Sequence, residues 1–175
     1  MQFRETPLAG AYVIEPERLE DQRGFFARTY CEHEFARRGL CSRFVQCNIS
    51  FNKTRGTLRG MHFQRPPSPE PKVVRCTRGA VYDVIVDLRR DSPTWRHWYG
   101  VELNEENRLA LYIPPGLAHG FQTLLDNTEC FYQMGEFYVA ELADGARWND
   151  PAFGIPWPIA DPVLSEKDRS YPDYA

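Results

Sequence analysis

Short apolar and β-branched runs recur along the chain and are cut by Gly, Pro, Asn or Asp. They fall at Tyr12-Val13-Ile14, Phe44-Val45-Gln46-Cys47-Asn48-Ile49, residues 81–88, residues 110–113 and residues 130–132. Runs of this length with such punctuation predict many short strands, and therefore an all-β sandwich or barrel. Residues 72–76 and 80–88 flank Thr77-Arg78-Gly79, a short glycine-containing link that predicts a hairpin. Residues 31–38, closed by Gly39, form the best helix candidate, and residues 105–108 add a turn. Both are expected at the periphery. The stretch Pro66-Pro67-Ser68-Pro69-Glu70-Pro71 is too short for a domain linker and reads as a loop between strands. No internal repeat or low-complexity segment interrupts the pattern. After Asp150 the chain turns Pro- and Trp-rich and reaches Ser165-Glu166-Lys167-Asp168-Arg169-Ser170. That segment suits a capped helical turn or a cover over a barrel mouth, although its charges weigh towards a solvated tail.

The length of 175 residues suits a single domain over residues 1–175, and 42% hydrophobic with 26% charged residues is a globular composition. A formal charge of −3 excludes a nucleic-acid binder held by bulk charge, while leaving room for a local basic cluster on a small anion. Met1-Gln2-Phe3-Arg4-Glu5-Thr6 is not a basic region leading into an apolar stretch, and no run reaches transmembrane length. The expected location is the cytoplasm. Five cysteines, Cys31, Cys41, Cys47, Cys76 and Cys130, include no C-x-x-C pair, which favours buried reduced thiols over a disulfide framework or structural zinc.

Ionisable residues sit where strands should exclude them. Gly56-Thr57-Leu58-Arg59-Gly60-Met61-His62-Phe63-Gln64, Lys72-Val73-Val74-Arg75 and Asp83-Val84-Ile85-Val86-Asp87 thread His, Arg, Lys and acids through apolar sequence. Such groups are costly to bury without partners, so their concentration points to a polar pocket inside a β-rich barrel. His33 and His97 lie in polar surroundings and suggest no role, whereas His62 and His119, the latter after a Pro-Pro-Gly turn, are candidates for one cavity. Strict alternation puts Arg59 and His62 on opposite faces, and a bulge at Gly60 would bring both inward. A metal is not expected, because His62-Phe63-Gln64 is not His-x-His and supplies too few ligands.

Taken in order, these motifs resemble the dTDP-4-dehydrorhamnose 3,5-epimerase family. The resemblance adds Arg23-Gly24-Phe25-Phe26, Gln46-x-Asn48-x-Ser50, Ser92-Pro93-Thr94, Ile113-Pro114-x-Gly116-x-Ala118-His119-Gly120-Phe121, Trp148-x-Asp150-Pro151, Ile155-x-Trp157-Pro158 and Leu164-Ser165-x-Lys167-Asp168. It spans nearly the whole chain. It implies a cupin-type jelly roll that dimerises by exchanging N-terminal strands, and epimerisation of a nucleotide-linked 4-keto-6-deoxy sugar through an enolate, without a cofactor.

By the same resemblance His62 is the general base, oriented by Asp168, and Tyr132 supplies a proton from the other face. Lys72 lies near the oxygen on which enolate charge develops, with Asp83 as the carboxylate that holds it. Arg23 and Arg59 match positions that grip the diphosphate. Gln46, Asn48, His119, Tyr138 and Lys167 match further substrate contacts. Two departures bear on specificity. Arg28 stands where many members carry the Glu that helps to hold the nucleotide, which leaves the base open among thymine, cytosine and guanine. Gln133-Met134-Gly135-Glu136 replaces the usual Lys-x-Thr or Lys-x-Ser after the tyrosine. A nucleotide-sugar 3,4-ketoisomerase and an inert sugar-nucleotide-binding cupin are the competing readings. The inert binder should have lost the base or the acid, and both are present.

Overall fold

The computed structural model describes residues 1–68 and 70–174, so Pro69 of the proline-rich loop lies outside the described residues. Thirteen strands run in the order β1 Gln2–Glu5, β2 Tyr12–Glu15, β3 Arg18–Asp21, β4 Gly24–Ala27, β5 Gln46–Asn52, β6 Leu58–Gln64, β7 Lys72–Arg78, β8 Ala80–Asp87, β9 Trp98–Asn104, β10 Ala110–Ile113, β11 Leu117–Thr123, β12 Thr128–Met134 and β13 Ala143–Gly145. Two short helices, α1 Glu32–Ala36 and α2 Glu166–Ser170, complete the elements of the described residues. A six-stranded sheet, β1-β2-β10-β7-β12-β5, faces a five-stranded sheet, β13-β6-β11-β8-β9, and every strand pair within them is antiparallel. This is the expected all-β, cupin-type jelly roll with small peripheral helices.

Alternation along the strands builds three apolar layers. Val74 and Cys130 of the six-stranded sheet meet Val81, Ile85 and Phe121 of the other sheet in the central core. The opposite face of the six-stranded sheet, with Val73 and Tyr112, is covered by Phe35 of α1. The opposite face of the five-stranded sheet, with Met61, Val84 and Val86, is covered by Phe153 and Ile155 from the Pro- and Trp-rich segment. The site occupies the end of the central layer where apolar side chains give way to polar ones.

Three expectations about the fold are corrected. Residues 72–88 do not form a hairpin, because β7 pairs with β10 and β12 while β8 pairs with β9 and β11. Gly79, at φ 77°, instead turns the chain from one sheet into the other. The C-terminal charged segment is not a solvated tail. Ser165 caps α2 by accepting a hydrogen bond from the Asp168 backbone N–H, and Asp168 is only 4% exposed. Finally, only Cys76 and Cys130 of the five cysteines are buried, and Cys47 is exposed on β5, an edge strand. The helix foreseen over residues 31–38 is present as α1, with Cys31 as its N-cap and Gly39 at φ 68°. Residues 105–107 make the expected turn.

Candidate active site

His62 rises from β6 of the five-stranded sheet. Between the pairs His119↔His62 and Phe121↔Arg59 the register shifts, so that β6 carries one residue more than β11. Gly60 sits in this bulge at φ 139°, and a Cβ there would come within 2.6 Å of the Gly120 Cα. The bulge brings Arg59 and His62 to one cavity of about 460 Å³. The expectation for Gly60 therefore holds.

The His62 ring Nε2 is hydrogen-bonded to the Asp168 carboxylate. The other Asp168 oxygen accepts from the Ser165 hydroxyl at 2.8 Å. Burial pushes the Asp168 carboxyl up, but the hydrogen bond and charge of His62, the Ser165 hydroxyl and the Arg59 guanidinium outweigh it and hold the group below its ordinary value. The Tyr171 ring, just past α2, stands edge-on to His62 with centroids 5.8 Å apart.

Tyr132 enters the cavity from β12 of the six-stranded sheet, in the inward row with Cys130 and Met134. Its ring meets His119 edge-on at 6.2 Å. Burial first, then the Cys130 thiol and the Asp83 carboxylate, push its phenol well above the ordinary range. The Ser50 hydroxyl and the Arg59 charge act weakly against them. A tyrosine in this state retains its proton at neutral pH.

Lys72 and Asp83 do not form the expected pair. Asp83, fully buried, accepts from the His119 ring Nε2 at 3.0 Å on each carboxylate oxygen. The Lys72 ammonium instead donates to Glu70 at 2.8 Å. Asn48, Tyr138 and Lys167 line the same cavity. Gln46 uses its side-chain oxygen on the Tyr138 backbone N–H at 2.7 Å, so it holds the loop that carries Tyr138. Arg59 is steered by Asn52, whose side-chain oxygen accepts from Nε at 2.8 Å. Arg23 is absent from the cavity of this chain: it lies in the β3–β4 turn, its side chain 85% exposed and paired with Asp21.

Sequence reasoning missed Glu70 and Tyr171. Glu70 stands two positions before Lys72, the spacing of one strand face, which was the available signal. Tyr171 offered none. No group of three or more His, Cys, Asp or Glu stands close enough to hold a metal ion among the described residues.

This fold and its cavity have close counterparts. The family model for dTDP-4-dehydrorhamnose 3,5-epimerase matches residues 5–175. The chain belongs to that family. A dTDP-4-dehydrorhamnose 3,5-epimerase from Methanothermobacter thermautotrophicus is 47% identical over 172 residues, which cover 97% of this chain and 92% of the relative. The crystal structure of the dTDP-4-dehydrorhamnose 3,5-epimerase from Bacillus anthracis, with TDP and PPi bound, superposes with a TM-score of 0.96 at 42% identity and covers 99% of both chains. A 3'-monoepimerase from Streptomyces bikiniensis, in complex with dTDP-quinovose, superposes with a TM-score of 0.89 at 31% identity, covering 96% of this chain and 85% of its own. As a member of the dTDP-4-dehydrorhamnose 3,5-epimerase family, the chain is an isomerase of the nucleotide-sugar epimerase type. No helix among the described residues is long and apolar enough to cross a membrane.

Proposed function

We propose that the chain inverts C3 and C5 of a dTDP-linked 4-keto-6-deoxy sugar, with His62 as base and Tyr132 as acid. The observation that carries this reading is their placement. His62 comes from one sheet and Tyr132 from the other, and both line one cavity. A sugar ring between them presents one face to each.

His62 takes the proton next to the ketone, and the C–H electron pair moves into an enolate whose charge collects on the ketone oxygen. The Lys72 ammonium stabilises that charge more than it stabilises the neutral ketone, which is the requirement for raising the rate. Tyr132 returns a proton to the opposite face. Asp168 fixes the His62 ring, and Asp83 fixes His119 against Tyr132. Arg59 and Lys167 suit the diphosphate, while Asn48 and Tyr138 supply polar contacts near it. The nucleotide is proposed as thymidine diphosphate because relatives at 42% and 31% identity carry TDP or a dTDP-sugar. Arg28 lies 3.9 Å from Glu34, an acid on its own chain that faces its reversed charge.

The active unit in this reading is a homodimer. Among the described residues the β3–β4 hairpin pairs only with itself, and its Leu19, Phe25 and Phe26 are exposed. The β5 edge likewise exposes Ile49 and Phe51. Apolar surface on a projecting hairpin and on an unpaired sheet edge is the pattern of strand exchange between two copies. In such an exchange Arg23 of one copy would complete the cavity of the other. The five free cysteines suit a reducing compartment, which supports a cytoplasmic location.

The deciding experiment follows proton NMR of dTDP-4-keto-6-deoxyglucose with the protein in deuterated water. Loss of signal at C3 and C5, abolished in His62→Ala, is the expected result. Loss at C3 alone would make it a monoepimerase, a moved carbonyl would make it a ketoisomerase, and no exchange with any nucleotide form would leave an inert binder.

A further inference from the structure

Glu70 is the least explained charge in the cavity. Its Oε2 accepts from Lys72 Nζ at 2.8 Å, and the two side chains are only 10% and 8% exposed. Both line the cavity that holds His62 and Tyr132. The other acids near the chemistry are already engaged: Asp83 by His119, Asp168 by His62 and Ser165, and Asp144 by Arg65. Glu70 is therefore the carboxylate that meets the Lys72 ammonium.

A lysine is a compact charge on a flexible four-carbon stem. Its value to a developing oxyanion depends on being fixed before the charge appears. We propose that Glu70 is a positioning residue that aims Lys72 at the ketone oxygen through its acceptor oxygen, while its negative charge opposes the help that Lys72 gives. The proposal rests on the epimerase reading for its kinetic part.

The two effects separate by substitution. Glu70→Gln keeps a side-chain oxygen at the same reach and removes the charge, whereas Glu70→Ala removes both. The expected kcat of Glu70→Gln equals or exceeds that of the parent. Glu70→Ala is expected to lose about 10- to 100-fold in kcat, the scale of a misplaced catalytic group, with KM changed by less than about threefold. In the background of Lys72→Ala, adding Glu70→Ala should cost nothing further, because a positioning residue has no effect without the group it positions. Crystals of Glu70→Ala without substrate should show Lys72 Nζ displaced or in more than one rotamer.

A Glu70→Ala protein with the parent kcat, a Glu70→Gln protein as slow as Glu70→Ala, or an unmoved Lys72 would each overturn the proposal. The crystallographic arm needs no turnover. Absence of exchange in the parent protein would therefore remove the epimerase reading while Lys72 placement still decides the positioning claim.

Discussion

His62 and Asp168 are hydrogen-bonded partners separated by 106 residues of sequence, the histidine on a core strand and the aspartate on a five-residue helix. The Asp168 backbone N–H and carboxylate both meet Ser165, so the helix cap and the orientation of the His62 ring are one construction. Asp168→Asn leaves the shape but removes the carboxylate that meets the His62 ring. Turnover should fall by about 10²- to 10⁴-fold, the usual contribution of a general base, with dTDP binding retained. Initial rates and a dTDP titration check the two halves.

The same pair sets an acid limit on stability. The folded-state pKa of Asp168 lies below its ordinary 3.8, with burial opposing and the His62 hydrogen bond and charge driving the shift. A depressed carboxylate contributes fully above its unfolded pKa, and the contribution is lost as pH falls through the lower folded value. Thermal unfolding between pH 5 and about 2 should therefore drop less steeply for Asp168→Asn than for the parent. Parallel acid-side slopes would sink this account.

Tyr132 is held protonated, chiefly by burial and then by the negative groups around it. Its phenol should remain neutral where exposed tyrosines ionise, near pH 10. Ultraviolet titration of the native protein and of Tyr132→Phe should give the same tyrosinate absorbance up to about pH 10.5. A missing step in the variant would show that Tyr132 ionises early.

Much of this was legible in the residues. Punctuated apolar runs announced the strands, and ionisable side chains inside them announced a pocket, because burying such groups requires partners. The bulge at Gly60 was readable too, since alternation alone separated Arg59 from His62. Pairing of sheets was less accessible: a glycine link between two strands suits a hairpin or a corner equally, and only long-range contacts place β7 and β8 in different sheets. Charge partners were the hardest. Lys72 has Glu70 rather than Asp83, and Asp83 has His119, because which buried acid meets which cation depends on the geometry across strands. The charged C-terminal segment looked solvated by composition, yet a single carboxylate turned inward makes it part of the site.

Gly60 also gives a stability test. A Cβ there would meet the Gly120 Cα at 2.6 Å and the His119 carbonyl oxygen at 3.1 Å, with φ at 139°. All of these are backbone obstacles that cannot rotate away. Gly60→Ala should cost about 2–3 kcal/mol from the strained backbone and the clash together. Since the bulge also aims His62, the surviving folded protein should have lost activity. Urea unfolding measures the first effect, and deuterium exchange into substrate measures the second.

The projecting hairpin tests assembly and catalysis at once. Leu19 and Phe26 are each 69% exposed, apolar area that packing on a second copy would remove from water. If they pack on a second copy, Leu19→Ser with Phe26→Ser should shift sedimentation from dimer to monomer without loss of β-sheet circular dichroism, since both lie outside the three apolar layers. The monomer should bind dTDP more weakly, because Arg23 lies outside the cavity of its own chain and in a dimer would serve the neighbour's. Arg23→Ala should then weaken dTDP binding in the dimer by about tenfold or more, the worth of a charge-assisted hydrogen bond, and change nothing in the monomer. Mixing Arg23→Ala chains with His62→Ala chains supplies the final check. Exchanged sites would restore activity to one of the two cavities of each mixed dimer, and sites complete within one chain would not.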